Sequence, residues 1–202
     1  MKTQDRIERL DFLGFDPQVR DALALCTPVI EHALPDALSA FYDVIGATPA
    51  TRRFFRDDDH MLAARDRQKA HWMSIVSGRY DSAYFESVRK IGLAHSRLGL
   101  EPRYYIGGYA HLASALIRAV ALPDQAGLAR FGGRNSRLLA RKLDALVKAI
   151  FLDMELAVSL YLEETEANAS RERDAIATEF ERSVGQVTGS LQTVSETIGT
   201  AS

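Results

Sequence analysis

The chain has 202 residues, a formal net charge of −2, 47% hydrophobic and 26% charged residues, which is enough to bury a real core within one soluble domain and leave some chain over. Basic residues are scattered, so there is no footprint for a nucleic-acid surface or an anionic membrane. No run of about 18 apolar residues or leader-like apolar stretch occurs, and the single cysteine, Cys26, cannot form an internal disulfide; both fit a cytoplasmic protein with no membrane span.

Apolar residues recur at three- and four-residue spacing almost throughout, without sustained period-two alternation, which predicts an all-α chain of seven or eight helices. A short leading helix is expected near residues 4–11, and Asp16-Pro17 opens the next. Thr27-Pro28 reads as an N-cap followed by proline at the first helical position. Ile30, Leu34, Leu38, Phe41 and Ile45 then form one face, with Tyr42 beside it, and Gly46 ends the run. Turns at Ala47-Thr48-Pro49 and at residues 56–59 flank a short helix expected to carry Phe54 and Phe55, before a helix from about His60 to Ser77 that holds Trp72.

Asp81 caps the following helix, in which Val88, Ile91, His95 and Leu98 fall at spacings of 3, 4 and 3, so that His95 shares a face with three aliphatics. Gly99 suits a left-handed C-cap with Leu100 as its hydrophobic partner, and Pro102 starts a helix containing Tyr105, Tyr109, Leu112, Leu116 and Val120. A loop around residues 123–135 precedes a long helix through Leu139, Leu143, Leu146, Ile150, Met154 and Val158. Near Glu163 the character changes. From Ala177, the positions Phe180, Val184, Val187, Leu191, Val194, Ile198 and Ala201 alternate steps of 3 and 4, a heptad seam that implies a partner helix, most simply that of a second copy. The seam runs up to Ser202, as expected of a longer protein that continues.

On residues alone His95 has two readings. It is a core histidine satisfied by carbonyls or a tyrosine hydroxyl, or it is an axial metal ligand presented from an apolar wall, for which desolvation supplies the neutral imidazole. Tyr42 is likewise either a core-edge residue whose hydroxyl reaches water or a donor into a cavity. His60 and His71, eleven residues apart, lack an acidic or cysteine companion and are expected to be structural or exposed, and His32 and His111 have no partner either. Serine-nucleophile motifs, phosphate loops and paired catalytic carboxylates are missing, so a non-enzyme is expected.

The string H-S-R-L-G-L-E-P-R-Y-Y-I-G-G-Y from His95 to Tyr109, with A-F-Y-D-V-I from Ala40 and H-W at His71, closely resembles the globin domain of globin-coupled sensors, and within them the haem-based aerotactic transducers, over about residues 15–160. The resemblance implies a globin-like fold: an N-terminal extension at 1–15, a sensor domain at 16–162, and a linker and coiled-coil-like signalling helix at 163–202. It implies haem b as cofactor, with His95 as the iron ligand, Tyr42 bonding bound oxygen, Tyr105 on the proximal side, and Phe41, Trp72 and Leu98 around the haem. Family members often place Thr, Ser or Leu in the distal pocket from the Trp72 helix; here Gln68 and Leu62 are the alternatives. The implied function is an oxygen sensor that signals through a homodimer to a chemotaxis module, with a diguanylate cyclase or histidine kinase as other outputs. A cofactor-free interaction module, with His95 as a core residue, is the alternative from a different class.

Overall fold

The computed structural model describes residues 3–122 and 134–200, with side chains described at 3–122 and 136–189. These residues form eight helices: α1 (Thr3–Phe12), α2 (Pro17–Ala24), α3 (Thr27–Ala47), α4 (Pro49–Arg52), α5 (Asp58–Val76), α6 (Ser82–Arg97), α7 (Pro102–Ala121) and α8 (Arg134–Thr200). Among the described residues there is no strand. The expected loop around 123–135 lies outside them except for its last two residues, which open α8.

Short polar side chains set most helix starts. Asp16, Asp57 and Asp81 sit in extended backbone and accept from the amides of Val19 at 2.8 Å, His60 at 2.7 Å and Tyr84 at 3.0 Å, each satisfying one of the amides a helix start leaves unpaired. Three boundaries differ from expectation. Cys26 and not Thr27 is the cap residue of α3, with no side chain bonding the first amides of the helix, because the Thr27 hydroxyl turns away to the Val76 carbonyl at 3.4 Å. Phe54 and Phe55 follow α4 and are not part of it: their amides close turns onto Thr51 and Arg52. Gly46 does not end α3, which runs through it and through Pro35; that proline lies on the exposed side, where water serves the carbonyl it leaves unpaired.

The chain divides into two units, residues 1–161 and 162–202. In the first, α3 packs most closely on α7 and α5. Leu23, Ile30, Leu34, Leu38, Ile75, Val88, Leu112, Leu116, Leu146 and Leu152 are fully buried, each contributing about 1.5–3 kcal/mol of transfer free energy. The first part of α8 buries a wide face, Ala145, Leu146, Ala149, Ile150, Leu152, Leu156 and Ala157, and within that face lies Asp153, wholly inaccessible to water.

The second unit is the continuation of α8. Its described apolar side chains Ile176, Phe180, Val184 and Val187 are exposed within this chain. Leu191, Val194, Ile198 and Ala201, the rest of the predicted seam, lie outside the described side chains. Among the described residues no helix is long and apolar enough to cross a membrane.

Candidate cofactor site

A cavity of about 390 Å³ opens between α3, α5, α6 and α7, a size typical of small-molecule and cofactor sites. All six residues singled out from sequence line it: Phe41 and Tyr42 from α3, Trp72 from α5, His95 and Leu98 at the end of α6, and Tyr105 from α7. Leu98 is half exposed and stands at the mouth, whereas Trp72 is buried.

The end of α6 explains how His95 is presented. Gly99 adopts a left-handed conformation, φ 67°, and the Leu100 amide donates to the His95 carbonyl at 3.1 Å while the Gly99 amide donates to Ser96 at 2.9 Å, a Schellman-type closure. The main chain of His95 is thereby satisfied and its side chain is left to the cavity. The imidazole makes no hydrogen bond among the described residues, and its Nδ1 is buried without a partner. Burial drives its pKa down to about 4, with His71 nearby adding to the shift, so the ring is neutral at physiological pH. The edge of Tyr105 packs against it in a T-shaped contact, centroids 5.0 Å apart.

Tyr42 holds the α3 side, packed edge-on to Phe41 at 5.4 Å and to Phe55 at 6.2 Å. Burial pushes its hydroxyl up to about 12, against a partial lowering by Arg67 and Arg65, so it remains a protonated donor at neutral pH. Among the described residues that hydroxyl has no hydrogen-bond partner, an arrangement that leaves its donor to whatever occupies the cavity. Of the two α5 alternatives, Gln68 lines the cavity and Leu62 is exposed; Ala64 and Arg67 line it as well.

The remaining histidines separate. His32 and His111 are exposed, the latter 6.3 Å from the Phe41 ring. His60 lines the cavity, contrary to expectation, with its ring 5.6 Å from that of Phe55 and its Nδ1 accepting from the Arg56 amide at 3.4 Å. His71 lines the cavity too, and it does have an acidic companion: its Nε2 donates to Asp153 Oδ2 at 2.9 Å. The same carboxylate accepts from the Tyr84 hydroxyl at 2.6 Å on Oδ1 and from the Tyr109 hydroxyl on Oδ2, and the Tyr109 oxygen pairs with the Tyr105 hydroxyl at 3.1 Å. Pairing by sequence proximity misses Asp153 because its partners are 82, 69 and 44 residues away. Its one legible signal is an acid at the i+3 position from Ile150 and the i−3 position from Leu156, in the middle of a core face.

Chemically, the cavity offers the neutral, unpartnered imidazole of His95 on a largely apolar, aromatic wall, while the other two lining histidines are engaged, His71 with Asp153 and His60 with the Arg56 amide. Among the described residues no group of three or more His, Cys, Asp or Glu stands close enough to hold a bare metal ion. One imidazole fits a metal that arrives with its other ligands already attached.

A family model described as Protoglobin matches residues 4–167, most of the chain. Among curated proteins, the chain is 24% identical over 196 residues to a protein of Halobacterium salinarum named heme-based aerotactic transducer HemAT, an alignment that takes in 93% of this chain and 40% of that protein. The chain therefore spans 40% of the length of that relative. Among solved structures, it is similar to the globin domain of the Geobacter sulfurreducens globin-coupled sensor, with a TM-score of 0.66 at 19% identity over 80% of this chain and 98% of that one. The ferric globin domain of E. coli DosC superposes with a TM-score of 0.59 at 15% identity, covering 76% of this chain and 97% of that one. These structures share the fold, a globin.

Proposed function

The chain belongs to the Protoglobin family, and on that premise we propose that it is the haem-based, oxygen-sensing domain of a globin-coupled transducer. The observation that carries the reading is the unpartnered neutral imidazole of His95 on the wall of an aromatic-lined cavity, facing away from its own satisfied helix end.

The residues fit a haem. His95 would be the iron ligand, and desolvation already holds it in the neutral form that ligation needs. Phe41, Trp72 and Leu98 would cover the macrocycle, and Arg67 and His60 would meet its carboxylates. When bound, the haem supplies reversible binding of a diatomic gas. The Tyr42 hydroxyl would donate to that gas, which the aliphatic lining cannot do. Tyr105 would fix the plane of the His95 imidazole by its edge contact.

For such a domain to signal, the gas must bind one arrangement of the protein more tightly than another; tight binding alone shifts nothing. Residues 1–15 would be an N-terminal extension, 16–162 the sensor, and 163–202 the linker and a signalling helix. A homodimer would cover the exposed Ile176, Phe180, Val184 and Val187 of that helix. Likeness to a protein named as an aerotactic transducer supports a chemotaxis-type output.

The test is haem titration of purified protein. One equivalent of haem should build a Soret band and quench the fluorescence of Trp72, the single tryptophan, which lines the cavity. A colourless protein with unquenched Trp72 in excess haem would leave the cofactor-free interaction module as the better reading.

A further inference from the structure

Asp153 is a carboxylate of α8 with no exposure, met by donors from three other helices: His71 from α5, Tyr84 from α6 and Tyr109 from α7. Among the described residues its only ion-pair partner is His71; no lysine or arginine reaches it. Burying an ionised carboxylate costs several kcal/mol, and a packed apolar residue in its place is often as stable or more so. The cluster thus represents a cost that packing alone does not require.

Its geometry is directional. The carboxylate accepts only, so the Tyr109 hydrogen points to Asp153, and the Tyr109 oxygen must accept from the Tyr105 hydroxyl. Burial, reinforced by the negative charge of Asp153, raises the pKa of the Tyr84, Tyr109 and Tyr105 hydroxyls, which keeps them protonated as donors. The Tyr105 hydroxyl therefore donates to Tyr109 within α7 and the Tyr109 hydroxyl to Asp153 of α8, and this relay holds the Tyr105 ring in the orientation that meets the His95 imidazole. The cluster also touches the opposite wall: Trp72 packs on Tyr109 at 5.8 Å, and His71 stacks on Tyr84 at 6.5 Å with planes 10° apart.

We propose that Asp153 is a positioning residue of the pocket: it holds Tyr109, and through it Tyr105, against His95, and so makes α8 respond to the state of the imidazole. The inference deepens the haem reading and rests on it for its functional meaning. A displacement of His95 or of α5 is met at one carboxylate with a fixed set of donors, which favours a discrete rearrangement over a graded one.

The test uses the full chain carrying Asp153→Asn, Tyr109→Phe, Tyr105→Phe and the Asp153→Asn/Tyr105→Phe pair. In haem-loaded ferrous protein the iron–histidine stretching band should shift in Asp153→Asn and in Tyr105→Phe in the same direction, and the pair should shift no further than the larger single change. In haem-free protein the ring carbon and nitrogen resonances of His95 should move in the same non-additive way, a readout independent of cofactor. Tyr109→Phe cuts the same link while leaving the carboxylate two donors, and serves if Asp153→Asn fails to fold. Folded variants in which neither the band nor the His95 resonances move would overturn the proposal and leave Asp153 a structural tie. Loss of the Soret band already in the parent would instead count against the haem reading, with the His95 resonances still deciding for or against Asp153.

Discussion

Gly92 lies in α6, three residues before His95, where a side chain would strike α8. A Cβ built there sits 3.2 Å from Leu160 Cβ, 3.5 Å from Leu160 Cδ1 and 3.6 Å from the Ala157 carbonyl oxygen. Leu160 Cβ is fixed to its backbone, so Gly92→Ala cannot be absorbed by a side-chain rotation and the two helices must part by a few tenths of an ångström. Replacing a glycine inside a helix by alanine otherwise gains about 0.8–1 kcal/mol, while overpacking of a tight contact costs about 1–3 kcal/mol. The balance for Gly92→Ala is a loss of roughly 0–2 kcal/mol from these two terms. Gly107, inside α7, is the control, since a Cβ there meets nothing within 4 Å. Gly107→Ala should therefore stabilise by about 0.8–1 kcal/mol. Urea unfolding followed by far-ultraviolet dichroism at one protein concentration reads both, with an unchanged slope required for the comparison. Equal stabilisation by the two substitutions would refute the close α6–α8 crossing and with it the account of why a glycine precedes His95.

Other expectations follow from the same geometry. Tyr42→Phe should speed oxygen dissociation roughly ten- to hundredfold, the worth of a strong hydrogen bond in a dry site; an unchanged off-rate by flash photolysis or stopped flow would remove Tyr42 from ligand binding. Leu116→Ala, at a position with no exposure, should cost about 2–5 kcal/mol, and a melting temperature within a degree of the parent would contradict the assigned core. Phe180→Glu with Val187→Glu should convert a dimer to a monomer in sedimentation velocity, whereas an unaltered mass would place the association elsewhere than on the exposed stripe of α8.

Much of the fold was legible because its punctuation is local. Asp16, Asp81, Gly99 and Pro102 act on amides and carbonyls within a few residues of themselves, and the helices they bound lie where the sequence places them. One misjudged boundary, the start of α3, is where a distant group competes. The Thr27 hydroxyl prefers the Val76 carbonyl to its own helix. His95, Tyr42, Phe41, Trp72, Leu98 and Tyr105 were found by spacing and resemblance, and they converge on one cavity. Asp153 was not found, because a polar residue on a core face acquires meaning only from what the other helices bring to it. His71 reads as partnerless for the same reason.

The central claim is that His95 is the ligand of a bound haem iron, and His95→Gly with added imidazole tests it most directly. The substitution should abolish the iron–histidine stretching band and most haem retention, and millimolar imidazole should restore both by refilling the space the side chain vacates. Retention of the parent's Soret and iron–histidine bands by His95→Gly without imidazole would contradict the assignment.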